Sequence, residues 1–104
     1  MNRYLALALK LTALSTAKQQ RMGCVVVRGG AILSMGVHHH GNCAERRALR
    51  RHMNYVGAVA YVMRMNGRCS RPCNDCQKLI VRSGLRKAVF IAADNKTVTH
   101  EVFA

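Results

Sequence analysis

Apolar residues return every three or four positions between Tyr4 and Leu14. Leu5, Ala8, Leu9 and Ala13 share one side, and Leu7, Leu11 and Leu14 widen it. A period near 3.6 marks an amphipathic helix, so residues 2–17 are read as helical. The spacing then shortens. Residues 22–28 (MGCVVVR) are β-branched, and residues 31–37 (AILSMGV) return after Gly29-Gly30. Paired glycines supply the positive φ angles of a two-residue hairpin turn, so both runs are read as strands. A polar loop, His38 to Asn42 (HHHGN), follows. Asn42 is placed to cap a helix over 43–53. Ala44, Ala48 and Leu49 would face inward there, with Arg46, Arg47, Arg50 and Arg51 outside.

A third strand is expected over 58–65 (AVAYVMRM), ended by Asn66-Gly67. Pro72 suits the first turn of another helix, where a missing N–H costs nothing. That helix is expected to run to Ser83, with Gly84 closing it. Residues 87–92 (KAVFIA) and 98–103 (VTHEVF) read as the fourth and fifth strands. The order α-β-β-α-β-α-β-(β) predicts an α/β fold in one domain, 1–104, with a mixed sheet of four or five strands covered by helices on both faces. No segment is apolar for long enough to cross a membrane. Lys10 interrupts the apolar N-terminal stretch, so a cleaved leader is not expected.

Charge changes the picture of what such a domain meets. Seventeen Lys and Arg stand against Glu45, Asp75, Asp94 and Glu101, a formal net charge of +13. That excess attracts phosphates and polyanions, and the planar guanidinium of Arg can grip two oxygens at once. Arg64, Arg68 and Arg71 bracket the approach to Cys73. Each is either a guide for phosphate or a solvated surface charge. His38, His39 and His40 offer phosphate, metal or pocket-lining chemistry, or form a plain polar loop.

The five cysteines fit no secreted disulfide framework, and C-x-x-C in a reducing compartment points to metal or redox work. A cytoplasmic location is therefore expected. Cys43-Ala44-Glu45 precedes Pro72-Cys73-Asn74-Asp75-Cys76. Cys43, Cys73 and Cys76 can hold one Zn²⁺ and leave its fourth position to water, while Glu45 carries protons. Cys73 and Cys76, three apart, neighbour each other on a helix's first turn. Cys24 sits in an apolar run and reads as a buried thiol, whereas Cys69 is a rival ligand. If Cys69 or His52 closed the coordination sphere, the chain would be a non-catalytic, zinc-stabilised nucleic-acid-binding module.

The two motifs together resemble the zinc-dependent cytidine and deoxycytidylate deaminase superfamily, whose signature is [His/Cys]-x-Glu followed by Pro-Cys-x-x-Cys. The resemblance runs from about residue 2 to residue 92 by the order of elements. It implies a three-layer α-β-α fold with Cys43, Cys73 and Cys76 on zinc. It implies Glu45 as the acid/base that moves protons between water, ring nitrogen and departing amine. The Cys-Ala-Glu-Arg run resembles the nucleoside-acting branch, in which Arg46 would hydrogen-bond the thiolates. Asn42 is a candidate sugar contact as well as a cap, and His40, Ala44 and Arg71 complete the substrate-facing set. The family carries further elements beyond residue 92, so contacts from that region are expected to be missing or to come from a neighbouring subunit.

Asn74 and Gln77 depart from free-cytidine enzymes, which have Gly and Arg there, and no Asn-x-Glu pair is evident before Cys43. With the net charge, this favours cytosine deamination on a phosphate-bearing substrate, either a dCMP/CMP-type nucleotide or single-stranded nucleic acid. Free cytidine and adenine stay as alternatives. A polymer substrate would need stacking surfaces, and the chain has three Tyr, two Phe and no Trp. A core this small leaves room for subunit contacts, so a homo-oligomer is expected.

Overall fold

The computed structural model describes residues 2–15, 21–38, 43–49 and 54–102. Its elements are α1 (Arg3–Leu11), β1 (Met22–Arg28), β2 (Ala31–Val37), α2 (Ala44–Ala48), β3 (Val59–Arg64), α3 (Asn74–Arg82), β4 (Lys87–Ile91) and β5 (Val98–Val102). The five strands form one sheet in the order β2-β1-β3-β4-β5. Only β3 and β4 run parallel, and α3 connects them; every other neighbouring pair is antiparallel. The expected mixed α/β sheet is present, with all five strands.

Strand alternation sorts the core into two halves. Side chains two apart share a face of a sheet. Val25 and Val27 join Leu5 and Ala8 of α1, together with Met63 and Ile91. Cys24 and Val26 point the other way, against Ala44 and Ala48 of α2 and Ile80 of α3. The result is three layers: α1, the sheet, then α2 with α3.

The first helix is shorter than the periodicity suggests. Asn2 caps it, accepting from the amides of Tyr4 at 2.7 Å and Leu5 at 3.3 Å. A 3₁₀ turn over Thr12–Leu14 ends it, with the Thr12 hydroxyl bonded to the Leu9 carbonyl at 2.6 Å. Ser15 is extended and donates to the His38 carbonyl at 2.7 Å. Short polar side chains thus offer the backbone an alternative to further helix. The hairpin turn matches its reading, with Gly29 and Gly30 at φ 57° and 81°.

Candidate metal centre and active site

The end of the sheet where β3 finishes carries the chemistry. β1 runs antiparallel to β3, so Met22 lies across from Arg64, and Gly23 lies across from Val37 of β2. The connections into α2 and α3 both leave from this end.

Cys43 and Cys73 occupy equivalent places. Each is the N-cap of its helix and extended. The helix read as starting at Cys43 therefore starts at Ala44, and Cys43 holds the cap position assigned to Asn42. Pro72 likewise stands before the cap of α3 rather than in its first turn; it is buried, and its carbonyl accepts from Gln77 Nε2 at 2.8 Å. The Sγ atoms of Cys43, Cys73 and Cys76 lie within 4.8 Å of one another.

Two features that sequence reading missed hold this arrangement. Ser70 is fully buried. Its hydroxyl donates to Val62 O at 2.7 Å and accepts from Ile91 N at 2.9 Å, and its amide donates to Ile91 O at 3.0 Å. The loop leading to Cys73 is thereby tied to both parallel strands. Gly36 is the second: a methyl group there would collide with the Ala44 carbonyl and the Ala48 amide. The missing side chain lets α2 lie against β2, and Ser34 completes the contact by donating to the Ala48 carbonyl. A glycine within a strand pattern is the signal that marks such a close approach.

Glu45 is 2% exposed, and its Oε1 has no hydrogen-bond partner among the described residues. Burial raises its pKa, with its own amide and the Cys76 thiol opposing the shift. Burial also raises Cys76 and Cys43, and the Glu45 charge adds to both. Burial opposes ionisation of Cys73 too, but hydrogen bonds from the Cys76 amide and the neighbouring thiols outweigh it and lower its pKa. Cys24 is pushed far up by burial and then by Glu45. Three sulfurs and a carboxylate so close together cannot all carry charge without a cation.

A divalent metal resolves that conflict, and the donor set fits zinc. Thiolates at about 2.3 Å from a tetrahedral zinc stand about 3.8 Å apart. That spacing falls within the 4.8 Å enclosing the three sulfurs. No fourth donor joins the group among the described residues. Cys69 is outside it, its amide held by Asn95 Oδ1 at 2.9 Å.

The other expected residues are distributed less tightly. Arg46 is exposed and makes no hydrogen bond to another described residue. Ala44 is buried in the apolar cluster, so its side chain faces the sheet. Arg71 is exposed and paired with Glu101 of β5 at 3.0 Å. His40, Asn42 and His52 lie outside the described residues. Arg64 shares the Val62 face of β3, two residues further along, and lines a hollow of about 340 Å³ with Arg21, Met65 and Asn66. No helix among the described residues is long and apolar enough to cross a membrane.

Residues 1–92 match the family model described as the cytidine and deoxycytidylate deaminase zinc-binding region. No curated protein sequence gives a significant match. The dCMP deaminase of cyanophage S-TIM5, solved in complex with dCMP and dUMP, is 25% identical, with a TM-score of 0.67 over 83% of this chain and 76% of that one. RibD of Acinetobacter baumannii is 26% identical, with a TM-score of 0.64 over 83% of this chain and 26% of that one. A cytidine deaminase from Burkholderia pseudomallei shares the fold at 17% identity, with a TM-score of 0.77 over 99% of this chain and 94% of that one.

Proposed function

The chain belongs to the cytidine and deoxycytidylate deaminase family of zinc-dependent hydrolases, and on that footing we propose that it deaminates cytosine in a phosphate-bearing substrate. Water adds at the carbon bearing the amino group, the carbon–nitrogen bond breaks, and uracil and ammonia result. Cys43, Cys73 and Cys76 hold the metal. Bound zinc supplies the Lewis acidity that brings the pKa of water near neutrality.

Glu45 takes a proton from the attacking water, delivers it to the ring nitrogen, and then protonates the departing amine. The observation that carries this reading is the unpartnered Glu45 Oε1, buried in a cluster of thiols. Burying a carboxylate oxygen without a partner costs stability. A zinc-stabilised binding module would have no use for that cost, whereas a proton carrier needs an oxygen free to bond its substrate. Arg46, in the first turn of α2, is the cation that would offset the thiolate charge. Asn42, His40, Ala44 and Arg71 are the candidate substrate contacts.

A phosphate on the substrate is supported by the net charge of +13. Arg64 and Arg21 line their hollow at the same end of the sheet as the thiols. The cyanophage relative was solved with dCMP and dUMP. Ammonia release from the zinc-loaded protein tests the reading, using cytidine, dCMP, dCTP, AMP, single-stranded DNA and single-stranded RNA at two salt concentrations. Turnover of dCMP, dCTP or a polymer well above cytidine, weakened by salt, is expected. Turnover of cytidine alone would remove the phosphate, and turnover of AMP alone would remove cytosine.

A further inference from the structure

On the reading that Cys43, Cys73 and Cys76 alone supply sulfur to the metal, we propose that Asn95 is a positioning residue. It holds Cys69 out of the coordination sphere and so keeps the fourth position open to water. Cys69-Ser70-Arg71-Pro72-Cys73 is a C-x-x-x-C run, within the ligand spacing of closed zinc sites. Four residues span at most about 14 Å, so no path of the loop takes Cys69 far from Cys73. Cys69 is a free, half-buried thiol, yet it lies outside the group that the other three sulfurs form. A zinc site closed by four thiolates is structural, whereas a catalytic one keeps a position for water. What restrains Cys69 therefore decides which kind of site this is.

The loop before Cys73 is fixed amide by amide. The Gly67 amide donates to the Arg64 carbonyl at 2.9 Å, and the Arg68 amide donates to Asn66 Oδ1 at 3.0 Å. The Cys69 amide donates to Asn95 Oδ1 at 2.9 Å, and the Ser70 amide donates to the Ile91 carbonyl at 3.0 Å. The first two bonds are local, and that of Ser70 ties the loop to β4. Of the four amides, only that of Cys69 is held by a side chain from a remote segment, 26 residues further along.

Asn95 is suited to this contact. At φ 62° it is the one non-glycine residue with a positive φ among the described residues. Asn enters that region more readily than most side chains do, and residues held there point to a role. The turn itself closes without the Asn95 side chain. Asp94 Oδ1 accepts from the amides of Lys96 at 2.9 Å and Thr97 at 2.8 Å. The Asn95 amide donates to the Ala92 carbonyl at 3.0 Å, and the Ala92 amide donates to the Thr97 carbonyl at 2.9 Å. With the turn set by those bonds, Asn95 Oδ1 is left to reach across to Cys69.

Asn95→Gly tests this, because glycine accepts the positive φ and lacks the acceptor oxygen. X-ray absorption at the zinc edge should count three sulfur neighbours in the loaded wild type and four in Asn95→Gly. Alkylation of the loaded proteins should label Cys69 in wild type and spare it in the variant. A chelator should strip zinc from the variant more slowly than from wild type, while ammonia release is lost; a merely structural defect would loosen the metal instead. Adding Cys69→Ser to Asn95→Gly should restore both three sulfurs and turnover. Asn95→Asp keeps an acceptor oxygen and tolerates positive φ, so it should match wild type. The sulfur count and the labelling do not depend on which substrate is turned over, so failure of the cytosine assignment leaves them decisive. Four sulfurs in wild type would overturn the proposal. So would three sulfurs in Asn95→Gly, or a loss of turnover that Cys69→Ser does not reverse, which would make Asn95 a plain support of the loop.

Discussion

The two faces of the sheet are built from alternate residues of the same strands, yet they follow different rules. The buried cluster on the α1 face is apolar: Leu5, Ala8, Val25, Val27, Met63 and Ile91. The opposite face buries Cys24, Val26, Ala60 and Ile80 in the same manner. It also encloses Glu45 and Cys76, of α2 and α3. Apolar burial at about 25 cal/mol per Å² drives folding on either side. Among the described residues, only the second face carries an unpartnered carboxylate oxygen and a cluster of three thiols. One face stabilises the fold, and the other is held in a costly arrangement by its neighbours and by the metal.

Replacing a metal ligand should break that contrast most completely. Cys73→Ala is expected to abolish turnover and lower zinc content together. A metal held at 1,000 times its Kd stabilises by about 4 kcal/mol, and that contribution should vanish, leaving a variant as sensitive to heat as the chelated wild type. Zinc stoichiometry and thermal unfolding check it; full occupancy would return Cys69 or a histidine to the ligand set.

Glu45→Gln separates chemistry from folding on the same face. Ammonia release should fall by about 10²- to 10⁴-fold. Zinc content should persist and thermal stability should hold or rise, since a buried charge is removed. Unchanged turnover would take Glu45 out of the mechanism. Leu5→Ala sharpens the comparison from the other side. It should cost about 2–5 kcal/mol in denaturant unfolding. The folded fraction should keep its zinc and its turnover.

The smallest effect is expected outside both faces. Asp94 lies in the β4–β5 turn, and hydrogen bonds from Thr97 and the Lys96 amide lower its pKa. A depressed carboxylate pKa contributes stability that is present above the unfolded-state value and lost as pH falls through the folded one. Asp94→Asn should therefore flatten the acid side of a melting-temperature profile and leave neutral turnover unchanged.

Most of this plan was legible because local rules were obeyed. β1 and β2 occupy the residues that their β-branched runs and Gly29-Gly30 indicate, and β3 and β4 differ from the reading only at their ends. The motif cysteines announce a metal by type and spacing. Less visible were the interactions that cross the sequence. Ser15 leaves the helical path for a partner 23 residues away. Ser70 joins Val62 to Ile91. Neither bond has a period, so neither leaves a local pattern.

From residue types and spacing alone came the alternation that divides the strands into two faces, the order of the elements, and Cys43, Glu45, Cys73 and Cys76 as chemical equipment. These are local properties of backbone geometry and side-chain chemistry. Tertiary structure decided that Cys69 stands apart while three other sulfurs converge, that Glu45 keeps one oxygen without a partner among the described residues, and that β2 lies at one edge of the described sheet. Each of those depends on distances between segments remote along the chain, which only packing against a common sheet can set.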